Sequence, residues 1–193
     1  GNAVTVSGVF SGLSTAIVVL RGLKIVGPGR DAGTSGVFVE PENSFMLFVD
    51  NCLISNFGIG IRALEVDNLR LMVSDSVIRN NTVGLTILVN GVEANGAAIT
   101  RTRFETNSTG VAAAGSHTVA IKDSVAVGNS IGFLSTGKMT IFDSMISRNT
   151  TGVKTEGSGI ATIGYSTVTG NDVGLLAHGL IQSLGNNMVA GND

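Results

Sequence analysis

Aspartates recur at one place in a repeated phrase, each just before a small polar residue. They are Asp50, Asp75, Asp123 and Asp143; the same place holds Arg101, Tyr165 and Asn186 in other copies. Stacked copies would set Asp50 beside Asp75 and Asp123 beside Asp143, about 5 Å apart. Two carboxylates at that separation can serve as nucleophile and acid in retaining glycoside hydrolysis. They can also share a calcium ion. A third role needs no ligand, because an Asp side chain caps the backbone of its own turn. The column faces solvent, where like charges at this spacing cost little, so the turn role is the expected one. Asp123 and Asp143 are the catalytic candidates it leaves.

The elements that must position these residues follow from the phrase itself, as in Ser76-Val-Ile78-Arg-Asn-Asn81-Thr-Val-Gly84-Leu85. Its asparagines are 56, 81, 107, 129, 149, 171 and 192, spaced 20 to 26 residues apart. A fixed phrase at that period marks a solenoid. Three residues before each Asn stand Leu53, Ile78, Phe104, Ala126, Ile146, Val168 and Val189. Two earlier are Asn51, Ser76, Thr102, Ser124, Ser144, Ser166 and Asn187. Three earlier again are Phe48, Val73, Ile99, Ile121, Ile141, Ile163 and Leu184. Apolar residues also follow the repeat glycines, at Ile61, Leu85, Val111, Phe133, Val153 and Leu175. Alternation of this kind reads as strand. The first copy carries one extra residue before Gly60. The expected architecture is all-β: a right-handed parallel β-helix of about eight rungs, three short strands each, forming one domain over residues 1–193. Residues 1–20 supply the first rung and part of a cap.

Bulk composition narrows the function. The 193 residues carry a net charge of −2, with 13% charged and 5% aromatic residues and no Trp. No Lys/Arg run supports nucleic-acid binding. No apolar run exceeds the length of Ala16 to Leu20, which is far too short to span a membrane. The single cysteine, Cys52, lies between two expected core positions and forms no intramolecular disulfide framework. His117 and His178 have no partner at metal-binding spacing. Gly27-Pro-Gly29 is followed by no Lys-Ser/Thr, so it is not a phosphate loop. Long turns are where binding loops grow, which singles out Arg30, Asp31 and Glu93.

The Asp-Ser-x-Ile-x-x-Asn-x-x-Gly-Ile phrase resembles the repeat of the parallel β-helix superfamily, which includes pectate lyases, polygalacturonases and phage tailspikes. The closing Gly185-Asn-Asn-Met-Val-Ala-Gly-Asn192 is similar to the end of secreted bacterial members. That resemblance implies a secreted or cell-surface location. It directs attention to the outer side of the strand after each glycine. Alternation puts Phe38, Arg62, Thr86, Ala112, Leu134, Lys154 and Leu176 there, with Glu40, Leu64, Leu88, Ala114, Thr136, Glu156 and His178 alongside. A lyase would need clustered acids for calcium and a basic residue close by. Only Arg62 beside Glu40 is suggestive, and an exposed salt bridge accounts for that pair.

Every strong signal is structural, and a fold does not by itself imply an activity. The expected function is a non-catalytic secreted or surface scaffold that binds a ligand, with polysaccharide the candidate partner. The alternative is a polysaccharide lyase or glycoside hydrolase acting on an acidic polysaccharide; no cofactor is called for unless it is a lyase, which would use calcium. The leucine-bearing face and the solenoid ends are the expected contacts of a homo-oligomer.

Overall fold

The computed structural model describes residues 2–8, 16–30, 33–41, 45–64, 69–89, 96–116 and 118–193. Asp31, the 65–68 turn, most of the 90–96 turn with Glu93, and His117 lie outside them. The described residues wind into three parallel sheets of eight strands each. The first stacks Asn2–Gly8, Ser35–Pro41, Ile59–Leu64, Val83–Val89, Thr109–Gly115, Ile131–Ser135, Thr151–Thr155 and Val173–Ala177. The second runs from Ala16–Arg21 through Phe45–Asp50, Leu69–Ser74, Gly96–Thr100, Thr118–Lys122, Lys138–Phe142 and Ile160–Gly164 to Leu180–Ser183. The third holds three-residue strands, from Lys24–Val26 to Met188–Ala190. Each rung crosses the sheets in that order, giving a right-handed β-solenoid.

Two corners explain the shortness of the third sheet. At the corner entering it, one residue per rung takes a left-handed backbone: Asn51, Asp75, Arg101, Asp123, Asp143 and Tyr165, with φ between 45° and 52°. At the corner leaving it, Asn56, Asn80, Thr106 and Arg148 do the same, and Gly128, Gly170 and Gly191 fill the place elsewhere. Asn, Asp and Gly enter this region most readily. Their recurrence is the geometry of two sharp bends.

Inside the second corner runs a ladder of carboxamides. Asn81, Asn107, Asn129, Asn149 and Asn171 are all buried. The Asn129 Nδ2 donates to the Asn149 Oδ1 at 2.9 Å and to the Phe104 carbonyl at 3.0 Å. Its Oδ1 accepts from the Asn107 backbone N–H at 2.9 Å and from Asn107 Nδ2 at 3.2 Å. The pattern continues to Asn192. A second column works at the other corner: the Ser124 hydroxyl donates to the Lys122 carbonyl at 2.8 Å and accepts the Thr102 N–H at 3.2 Å. Between the corners lies the dry core, with Ile78, Phe104, Ala126, Ile146 and Val168 stacked at full burial. Glycines after the ladder let adjacent rungs close; a Cβ on Gly132 would strike the Gly152 carbonyl.

The earliest and last rungs differ from the expected register. Ile54, not Leu53, pairs with Ile78, and Val49, not Phe48, pairs with Val73. Phe57 therefore occupies the ladder position, where its N–H donates to Asn81 Oδ1 at 2.9 Å. Asn56 shifts to the left-handed position before it, and the first copy has no extra residue. In the last rung Ser183 pairs with Ile163, leaving Leu184 opposite Gly164 and 52% exposed. By the same shift Cys52 falls in the hydroxyl column, buried, with Sγ 3.3 Å from the Asp50 carbonyl.

Two stability tests follow. Asn129→Ala removes a bond from four buried polar groups, although Asn149 Oδ1 keeps the Asn129 N–H and Asn107 Nδ2 keeps the Ile78 carbonyl, and should cost about 3 kcal/mol in urea unfolding; a loss below about 1 kcal/mol would mean that the ladder is not holding the rungs. Cys52→Ser should be nearly neutral, within about 0.5 kcal/mol, because a serine hydroxyl can donate to the Asp50 carbonyl as Ser76 does to that of Ser74. A cost of several kcal/mol would instead make position 52 an apolar core site.

Candidate functional site

The acid column meets cations more than it meets acids. Asp50 is not in it, because it pairs with Ser74. It accepts from Arg21 at 2.8 Å and from the Ser74 hydroxyl at 2.7 Å. Asp75 is held by Arg101 of the next rung through two bonds of 2.7 Å. Those bonds hold the Asp75 carboxyl below the ordinary carboxylate range and push the Arg101 guanidinium up. Asp123 and Asp143 do occupy adjacent rungs of the same corner, and both are exposed. Lys122 lies 3.8 Å from Asp143. Arg101 separates Asp75 from Asp123, and among the described residues no group of three or more His, Cys, Asp or Glu could hold a metal ion. This donor set does not fit calcium, which takes six to eight oxygens.

At Asp143 the corner opens into a hollow of about 430 Å³, lined by Lys122, Thr140, Phe142, Asp143 and Tyr165 among others. Tyr165 is 64% exposed and carries a φ of 52°. An aromatic residue in the left-handed region bears a steric cost of about 1–2 kcal/mol, and its exposed ring recovers little of that by packing. The Phe142 ring lies over Gly164 of the next rung, where a Cβ would sit 2.7 Å from it. Two aromatic side chains thus form a shelf edged by an ammonium and a carboxylate. Tyr165 was visible in the sequence only as a departure from the acid column. The signal was that the chain's one tyrosine stood in a turn position that favours Asp or Asn.

The outer columns of the first sheet have the expected register, with Phe38, Arg62 and Thr86 in line. Their chemistry differs. Arg62 forms no ion pair with Glu40; its guanidinium stands 5.8 Å from the Phe38 ring centroid, within cation–π range. Its Nε is buried with no hydrogen-bond partner among the described residues. Farther down, Lys154 pairs with Glu156 at 2.5 Å, which lowers the Glu156 carboxyl. His178 stands beside Glu156 in the same column and adds to that lowering. Arg30, from the 27–36 turn, reaches the opposite edge of this sheet and lines a groove at the asparagine corner. Among the described residues no helix is long and apolar enough to cross a membrane.

A titration checks the corner electrostatics. Asp75 titrates below the unfolded carboxylate range of about 3.9, so its pairing stabilises the fold above that range and is lost as pH falls through the lower folded value. In Arg101→Ala the Asp75 midpoint, followed by carboxyl carbon NMR, should move up; an unchanged midpoint would show that the pair does not persist in solution.

The chain matches a family model described as right handed beta helix region over residues 30–193. A search of the curated proteins and one of the solved structures found no match. The repeat, the three parallel sheets and this match agree: the chain belongs to the right-handed β-helix family.

Proposed function

We propose that the protein is a non-catalytic scaffold, secreted or held at the cell surface, that binds polysaccharide on the shelf of Phe142 and Tyr165. The exposed Tyr165 carries this reading. A large ring held in a disfavoured backbone state, with little of its area packed, supports a surface role better than a folding role. Aromatic faces stack on the apolar face of a sugar ring, and the Lys122 and Asp143 side chains at the edge can meet its hydroxyls. A secreted or surface location is the expectation drawn from the resemblance to secreted β-helix proteins.

The non-catalytic part rests on how the acids are engaged. Asp50, Asp75 and Asp143 each face a cation within 3.8 Å. Catalysis by a carboxylate pair needs surroundings that set the two acids apart, and Asp123 and Asp143 both lie exposed at the same corner. The second reading, a glycoside hydrolase using Asp123 and Asp143, is favoured by their adjacent places at one corner.

A panel of neutral and acidic polysaccharides, scored by affinity electrophoresis and by reducing ends, separates the two. Retardation without cleavage is expected, with Tyr165→Ala weakening binding about tenfold. Cleavage that disappears in Asp143→Asn would overturn the scaffold reading. Retardation unchanged in Tyr165→Ala would remove the shelf as the site.

A further inference from the structure

A second concave surface lies on the other side of the three-residue sheet, at the asparagine corner. The groove has a volume of about 660 Å³ and an almost wholly polar lining. Its floor is two side-chain columns flanking the buried amide ladder. The column after the ladder presents Ser108, Ser130 and Thr150 on successive rungs, and Asp172 follows. The column before it presents Thr106, Gly128, Arg148 and Gly170.

The two arginines come from different parts of the chain. Arg30 belongs to the long turn that leaves the first rung, yet its side chain reaches the fourth. One terminal nitrogen donates to the Asn81 carbonyl at 2.8 Å and to the Ser108 hydroxyl at 3.0 Å. The Arg30 carbonyl is itself tied down, accepting the Thr82 hydroxyl at 2.9 Å. Arg30 is thus a positioned cation at one end of the groove. Arg148 stands two rungs beyond Ser108, about 10 Å along the axis. It is exposed, has a φ of 55°, and makes no ion pair among the described residues. A left-handed backbone suits Arg poorly, and Gly fills the same place on the rungs either side. Among the described residues no ion pair offsets that cost.

Two guanidiniums with hydroxyls between them recognise an oxyanion carried on a polyol. Guanidinium pairs in a fork with carboxylate, phosphate and sulfate-like groups, while Ser and Thr exchange hydrogen bonds with sugar hydroxyls. Asp172 repels an anion at the far end, which confines the acidic group to the stretch between Arg30 and Arg148. We propose that this groove binds an oligosaccharide bearing a carboxylate or sulfate group, laid along the solenoid axis with its anion between Arg30 and Arg148. The site shares no residue with the aromatic shelf and does not rest on it.

The test is isothermal titration of the full chain with four probes: trigalacturonate, a sulfated trisaccharide, maltotriose and sodium sulfate. At least one charged trisaccharide should bind, and the two arms tell carboxylate from sulfate. Maltotriose should bind at least tenfold more weakly, and sodium sulfate should compete only feebly. Arg148→Ala should weaken the charged sugar about tenfold, and Arg148→Lys should recover part of that. Because Arg148 is exposed, its loss should leave the fold intact by circular dichroism. The titrations are run on the Tyr165→Ala chain, so that sugar held on the shelf does not contribute and failure here is separate from failure of the shelf. Affinity indifferent to Arg148→Ala, equal binding of maltotriose, or sulfate as tight as the sugar would each overturn the proposal.

Discussion

The buried carboxamide of one rung hydrogen-bonded to the next is the interaction on which the rest depends. A turn that bends into the interior exposes backbone N–H and C=O groups to a place without water, where each unmet group costs about 1–3 kcal/mol. From Asn81 onward, one asparagine per rung answers several of them. Asn107 receives the N–H of Asn81 and gives its amide hydrogens to the Ile78 carbonyl and to Asn129. Because each side chain completes its set only with the next, the apolar columns are held in line. Phe104 and Phe133 meet edge to face at 6.3 Å in the core that results. No rung could bury such a core alone.

That economy decides where chemistry can occur. The residues that repeat most faithfully are spent on the stack, as buried amides, inward hydroxyls or bends. What is left for recognition is whatever departs from the repeat. Tyr165 replaces the usual acid at one bend, and Arg148 replaces glycine or asparagine at the other. Arg30 arrives from outside the repeat on a long turn. Recognition in such a molecule is written in its exceptions.

The fold was legible because its determinants are local and repeated. Columns such as Ile78, Phe104 and Ile146 show their period without any knowledge of contacts. Register was less legible where a neighbour could imitate the marker: Asn56 stands next to the true ladder position, and only pairing reveals that Phe57 fills it. The sites were least legible. Asp50 and Asp75 looked like a pair, but a one-residue shift separates them and gives each its own arginine. Arg62 looked like a partner for Glu40 and instead lies against Phe38. The groove joins Arg30 to Arg148 across more than a hundred residues of chain, and no spacing rule links them.

In-register stacking has a consequence for how such a surface can change. Length added to a rung goes into its outer turns, while the columns keep one step per rung, about 4.8 Å. Side chains along the axis therefore behave like teeth on a comb. A contact can be swapped at a given tooth, or moved by whole teeth, but never displaced by a fraction of one. A ligand running along this rod is measured in fixed increments, and a new preference for its length requires a residue to change on a different rung.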